Sequence, residues 1–366
     1  MKITFVLPTA GLCGGIRVVA IYAQLLQQRG HEIFMVSVAH PKPSLREQLR
    51  SLKKGKGWIN VPKNPPSHLD NLDIPHKIID VGHELTDRDL PDADVVVATF
   101  WLTAEWVANL SPAKGAKAYF VQGHEIFEDG GAATYSLPLH KIVISRYLEQ
   151  LMVEKYHQHD LSFVPNSVDL QQFSASVRSK QTVPTFGMLY NSDDCSKGCD
   201  ITLQAVAIAK QDVPNLRLVA FGVDNPTPEL PLPFDNKYTR QPAQDRIKDI
   251  YSQCDAWLCG SRDEGFCLPI LEAMACRTPV IATPVGAAPE LLDRGTGILV
   301  MPEDPIDMAR AIAKIYQLSN SEWQAMSDRA YAQANSYSWQ DATTLFEAAL
   351  QKAIDSYKYA LLISNQ

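Results

Sequence analysis

Apolar positions along this chain follow two alternating periods. Residues 3–7 form a short run that is apolar almost throughout, which suits a strand covered on both faces. Gly11-Leu12-Cys13-Gly14-Gly15 follows. Residues 16–29 then show helical spacing, with Val19, Tyr22, Ala23 and Leu26 on one side. Gly30 stops that helix, and residues 31–37 return as a strand. Strand, glycine-bearing loop, helix and strand make a βαβ unit and predict a parallel sheet. More buried-type strands are predicted at 94–99, 117–121 and 141–144. The stretch 55–75, with Pro62, Pro65 and Pro66, has weak periodicity and reads as a surface loop.

A second pattern of the same kind starts near residue 185. It predicts a strand at 185–189, a polar loop up to Gly198, a helix at 201–210 and a strand at 216–221. Strands at 256–259, 279–283 and 297–301 follow, with helices between them. The tail reads as helices at 304–318, 321–334 and 339 to about 362. Val164-Pro165-Asn166-Ser167-Val168-Asp169 looks like a linker entered through a proline. The pattern therefore predicts an α/β chain of two doubly wound domains facing a cleft, with ligand at the carboxyl ends of the strands.

A length of 366 residues agrees with two domains. Hydrophobic residues at 46% and charged residues at 20% exclude bulk disorder. The net charge of −7 argues against long nucleic acid as a partner, though a few amides and cations can still hold a small anion. The seven cysteines include no C-x-x-C pair and sit beside no histidine cluster, so reduced thiols are expected and no metal. The apolar start is broken by Pro8, Gly11, Gly14, Gly15 and Arg17 and reads as a strand feeding a loop rather than a signal peptide. No apolar run nears the ~20 residues of a membrane helix. A cytoplasmic chain is expected, with peripheral contact at the inner membrane face left open. Lys53, Lys54 and Lys56 are either a solvated face or a contact with lipid or a charged acceptor.

The most informative stretch is Ser261-Arg262-Asp263-Glu264-Gly265-Phe266-Cys267-Leu268-Pro269-Ile270-Leu271-Glu272. A strand ends near Gly260 and a helix begins near Leu268, with Pro269 in its first turn, where a missing N–H costs nothing. Gly265 allows close backbone approach, and amides around Phe266, Cys267 and Leu268, with the helix dipole, form an anion site. Glu264 and Glu272 flank it. Carboxylates repel phosphate but accept diols well, so a ligand with phosphate in the middle and a diol at each end is implied: a nucleotide sugar. Glu272 would take the ribose and Glu264 the sugar. Alternatively, Glu264 is a solvated loop charge and Glu272 an acid that favours a helix start.

These residues, with Thr278-Pro279-Val280-Ile281-Ala282-Thr283, Val285 to Glu290 and Gly297 to Val300, resemble the E-x7-E signature of retaining GT-B glycosyltransferases of family GT4. Pro165 to Asp169 and Gly14-Gly15 resemble that family too. The resemblance implies a GT-B fold of two Rossmann-like domains. The acceptor domain would be 1–168 plus a returning helix at about 340–366, and the donor domain 169–339. It implies a nucleotide-sugar donor, most readily a UDP-sugar, a saccharide or glycolipid acceptor, retained configuration and no cofactor or metal.

Residue by residue, Lys197 matches the lysine on the leaving diphosphate, where one preorganised donor is worth about 10²–10³ in rate. Gly187-Met188-Leu189 departs from the family's Gly-Arg-Leu. Gly187 would still approach the donor, while the missing cation would come from Arg17, Arg240 or Arg262. Arg277 stands where the family often has glycine. Gln122-Gly123-His124-Glu125 resembles the family's His-Asp pair, with His124 orienting donor sugar and acceptor, or else purely structural. Gly14 and Gly15 would admit amides to phosphate or acceptor, or simply make a tight turn. Trp101, Trp106, Phe127 and Tyr135 are candidates for stacking on acceptor rings or for core. The expected mechanism is front-face attack with a diphosphate oxygen taking the proton. A double displacement would make Glu264 the nucleophile. The rivals are an inverting GT-B enzyme, a nucleotide-sugar epimerase and a catalytically dead sugar-nucleotide-binding module. A dinucleotide oxidoreductase lacks support, since no G-x-G-x-x-G follows the first strand.

Overall fold

The computed structural model describes residues 1–53, 57–59, 65–126, 130–223, 225–233 and 235–364. Lys54, Lys56 and Phe127 lie outside them. The chain packs as two units. One comprises Met1–Val143, Met152–Ser162 and Thr343–Gln366, the other Ile144–Leu151 and Phe163–Ala342. The chain thus enters the second unit first at 144 and again at 163, earlier than the proline-marked boundary at 168, and returns at 343.

Up to residue 163 the elements are β1 (Lys2–Thr9), α1 (Gly14–Gln28), β2 (Glu32–Val38), α2 (Leu45–Lys53), β3 (His76–Ile79), β4 (Val95–Ala98), α3 (Trp101–Asn109), β5 (Ala116–Val121), β6 (His140–Val143), α4 (Arg146–Glu154), which packs with the second unit as far as Leu151, and β7 (Leu161–Phe163). The sheet order is β3-β2-β1-β4-β5-β6-β7, and the pairs from β3 to β6 are parallel. Every residue of β4 is buried, which is why its sequence is Val-Val-Val-Ala rather than alternating. The strand order turns back between β1 and β4, the switch point where such sheets open a crevice at their carboxyl ends.

The second unit runs β8 (Thr185–Tyr190), α5 (Cys199–Ala209), β9 (Arg217–Gly222), β10 (Asn236–Arg240), α6 (Ile247–Tyr251), β11 (Ala256–Cys259), α7 (Leu268–Ala275), β12 (Val280–Ala282), α8 (Ala288–Leu291), β13 (Gly297–Leu299), α9 (Pro305–Gln317), α10 (Asn320–Asn335) and the start of α11 (Trp339–Ser364). Its order, β10-β9-β8-β11-β12-β13, is parallel throughout and switches between β8 and β11. Phe186, Met188, Leu218, Leu258, Ile281 and Trp323 fill its core, and the Trp323 indole N–H donates to the Asp255 carbonyl at 2.8 Å.

Helix α11 is 26 residues long, and from Thr343 onward it belongs to the N-terminal unit. Phe346 is fully buried there. Its ring stacks on Tyr22 at 4.4 Å between centroids, meets Phe120 edge-on at 5.1 Å and lies 6.2 Å from Phe5. Beside it in the helix, Glu347 receives Arg29 at 3.0 Å and His31 at 2.9 Å. Among the described residues no helix is long and apolar enough to cross a membrane.

Truncating Phe346→Ala empties the centre of this aromatic cluster. The expected cost is about 3–5 kcal/mol to the N-terminal unit, read as a lowered urea midpoint for its transition with the second unit's transition in place.

Candidate functional site

The site of the second unit is built where β8 and β11 end. After β8, the Asn191 side chain accepts the Asp193 and Asp194 amides at 3.0 Å, and Asp194 accepts the Ser196 amide at 2.9 Å. The turn Cys195–Lys197 ends at Gly198, whose φ is +56°. A Cβ at Gly198 would lie 1.8 Å from the Gly260 carbonyl oxygen at the end of β11. Only glycine permits that approach. The two loops are then tied together. The Arg262 amide donates to the Ser196 carbonyl at 2.7 Å, and its guanidinium donates to the Cys195 carbonyl at 2.7 Å and to both Asp200 oxygens at 2.9 and 2.8 Å.

This tie brings Lys197 and Glu264 together. Lys197 Nζ lies 3.1 Å from each Glu264 carboxylate oxygen, and Ser261 Oγ donates to Glu264 Oε1 at 3.0 Å. Leu189, Cys259, Ser261 and Cys267 line the pocket around the pair. Burial pushes the Lys197 ammonium toward losing its proton, but the Glu264 carboxylate outweighs it, and the lysine pKa is raised. The group is a firm cation at neutral pH.

Helix α7 starts behind this pair. Its first turn contains Pro269, and Cys267 caps it at φ +72°. A side-chain-bearing residue there costs about 1 kcal/mol. The far end repeats the situation. Arg277, where glycine was expected, sits at φ +57° and compensates through an ion pair with Asp328 and a guanidinium 4.1 Å from the Tyr331 ring centroid. Glu272, one turn into α7, is buried and accepts the Tyr251 hydroxyl at 2.8 Å.

The structure corrects the expectations for Gly187 and Arg262. Gly187 lies inside β8, paired with Val219 on one side and Trp257 on the other, and its missing Cβ would stand 2.4 Å from the Trp257 ring. It is a packing glycine. Met188 is buried in the core, so this position can aim no cation at a ligand. Arg262 is taken up by Asp200, by Glu303 at 2.6 Å and by the Cys195 carbonyl, so it is a strut between loops rather than a phosphate contact. Arg240 stands exposed at the carboxyl end of β10, its Nε donating to the Val223 carbonyl at 3.1 Å.

In the N-terminal unit, Gly15 and Arg17 occupy the first turn of α1, where a Cβ on Gly15 would come 3.3 Å from the Gln122 amide nitrogen. His124 follows β5, with Nε2 2.9 Å from the Tyr156 hydroxyl. Tyr135 is fully buried and clamps both neighbours of His124: its hydroxyl accepts the Glu125 amide at 2.8 Å and donates to the Gly123 carbonyl at 3.2 Å. Trp101 is buried as well, so neither ring offers an open stacking face, while Trp106 is half-buried. Glu125 does not act as the histidine's partner. Its Oε2 accepts the Trp101 amide at 2.6 Å and the Tyr119 hydroxyl at 2.7 Å, tying the loop to the start of α3. Burial raises its pKa to about 7. Tyr156 escaped the sequence reading, and Ser261, although inside its most informative stretch, was given no role there. Ser261 had a signal, standing three residues before Glu264, and Tyr156 had none.

A family model described as Glycosyl transferases group 1 matches residues 180–318, which contain Lys197, Glu264 and Glu272. The chain is 30% identical over 209 residues to a component of the phosphatidylinositol N-acetylglucosaminyltransferase of Arabidopsis thaliana, covering 54% of this chain and 45% of that protein. It spans under half the length of that relative. It is 26% identical to D-inositol 3-phosphate glycosyltransferase of Mycobacterium avium over 96% of this chain and 92% of the other. Anabaena Alr3699/HepE, solved in complex with UDP and glucose, aligns with a TM-score of 0.73 at 17% identity, covering 96% of this chain and all of that one. The likeness shows the fold to be GT-B.

Glu125 supports a pH prediction. Its carboxyl holds a proton to about pH 7 when folded, against an ordinary value of 4.5. Its contribution to stability is therefore complete below pH 4.5 and is lost as pH rises through 7. A shift of that size corresponds to about 3 kcal/mol. Glu125→Gln keeps an oxygen acceptor for Trp101 and Tyr119 and should flatten this slope, raising stability at pH 8 relative to pH 5 in paired urea titrations.

Proposed function

We propose, from the match of residues 180–318 to the Glycosyl transferases group 1 family, that this chain is a retaining hexosyltransferase. It moves a sugar from a nucleotide donor to a saccharide or lipid-linked saccharide. The observation that carries the reading is the Lys197–Glu264 pair at the carboxyl ends of β8 and β11, inside the matched segment.

The donor diphosphate meets Lys197, the α7 amides and Arg240, in place of a metal ion. Glu264, held by Ser261 and Lys197, orients hydroxyls of the transferred sugar, and Glu272 takes the ribose diol. Because Lys197 keeps its proton, it stabilises charge on the leaving diphosphate without a pH-dependent step. The acceptor hydroxyl attacks from the face the diphosphate leaves, and a diphosphate oxygen takes its proton. Glu264 is bonded on both oxygens, an arrangement that favours orienting over attacking. His124, fixed through Tyr156, takes part in orienting sugar and acceptor. A uridine nucleotide is the first donor to try, given the ligands of Anabaena HepE.

The test is thermal shift against UDP-, GDP-, ADP- and dTDP-sugars with EDTA present. A donor at 100 times its Kd contributes about 2.7 kcal/mol. A shift with one nucleotide, lost in Glu272→Ala, is expected, and Lys197→Ala should lower turnover about 10²–10³-fold. Product NMR should show the donor's anomeric configuration. An inverted product overturns retention, a shift without turnover points to a binding module, and a shift abolished by EDTA overturns the metal-free reading.

A further inference from the structure

Helix α2 is turned inside out. The side chains it buries are Gln48 and Ser51, while Leu45, Leu49 and Leu52 are 77%, 62% and 47% exposed. The inward polar pair is occupied. Gln48 Nε2 donates to the Ile59 carbonyl and Oε1 accepts the Ile59 amide, both at 2.8 Å, and Ser51 Oγ donates to the Gly57 carbonyl at 2.7 Å. These bonds hold residues 57–59 against the helix, with Trp58 62% exposed. At about 100° per residue the three leucines fall within an arc of about 60°. Arg46, Arg50 and Lys53 form the adjoining row. Glu47, the one acid of this helix, is drawn to its start, accepting the Ser44 amide and hydroxyl at 2.7 Å.

A helix that packs on its own protein buries its leucines. This one uses polar side chains inward and presents leucines, a tryptophan and cations outward. It is mostly polar, its two faces are sharply separated, and a basic row adjoins an apolar one, which is the character of a helix lying in a lipid interface. Its charge runs against that of the chain: three cations and one acid in α2, against −7 overall. We propose that Leu45, Leu49, Leu52 and Trp58 dip into an anionic lipid surface, with Arg46, Arg50 and Lys53 on the headgroups. A second copy of the chain fits less well, because a two-fold contact through the leucines would bring two cationic rows together. The inference does not depend on the transferase reading and is tested without turnover.

The experiment is co-sedimentation of the full chain with vesicles of neutral phosphatidylcholine, or of the same lipid with about 30% phosphatidylglycerol. Binding is expected to the anionic vesicles only and to fall in high salt. Leu45→Ser with Leu49→Ser and Leu52→Ser should reduce it at least tenfold with thermal unfolding unchanged, since these side chains are exposed. Arg46→Gln and Arg50→Gln should each cost roughly fivefold. Equal binding of the leucine variant, or no binding to anionic vesicles, overturns the proposal. So does a wild-type dimer in size-exclusion light scattering that the leucine variant converts to monomer, since a second copy would then cover the stripe.

Discussion

The approach of Gly198 to the Gly260 carbonyl is the constraint on which the Lys197–Glu264 pair depends. Two loops from adjacent parallel strands are pressed closer than any side chain would allow, one of them in the left-handed backbone region. Their contact is then held by the Arg262 amide and guanidinium. With the backbones so placed, a lysine from one loop and a glutamate from the other meet across a sequence separation of 67 residues. The pair is a product of strand order: only the switch between β8 and β11 makes their carboxyl ends neighbours.

Charge is then apportioned by neighbours rather than by residue type. Lys197 and Arg262 are both cations near the same strand ends. Lys197 pairs with one carboxylate, Glu264, which it shares with Ser261. Arg262 is surrounded by two carboxylates and a carbonyl, which makes it part of the frame. Glu125 and Glu272 show the same logic for acids. Each is buried on tyrosine hydroxyls, but Glu125 serves the architecture of the N-terminal unit, whereas Glu272 lies in the helix that opens from the site.

The central strands and long helices were legible because burial on both faces, or on one helical stripe, writes a continuous apolar period into the sequence. The strands that escaped notice are β3, β7 and β10, all at sheet edges. Asn236–Arg240 in β10 has no buried residue, so its pairing leaves no mark in the pattern. Helix α2 escaped for the opposite reason: its leucines are regular, but they point away from the protein.

The sequence by itself determined two α/β units and the candidacy of Glu264 and Glu272, since strand burial, helix starts and ligand chemistry each demand particular residues at particular spacings, while Lys197 and His124 became candidates through the family resemblance. Only the tertiary structure decided which candidates cooperate. Gly187 became a packing position because Trp257 fills the space beside it, Arg262 a strut because Asp200 and Glu303 converge on it, and Glu125 a helix tether because Trp101 and Tyr119 reach it first. Partners so distant in sequence impose no period on the chain, and a side chain's role follows from the partner it meets.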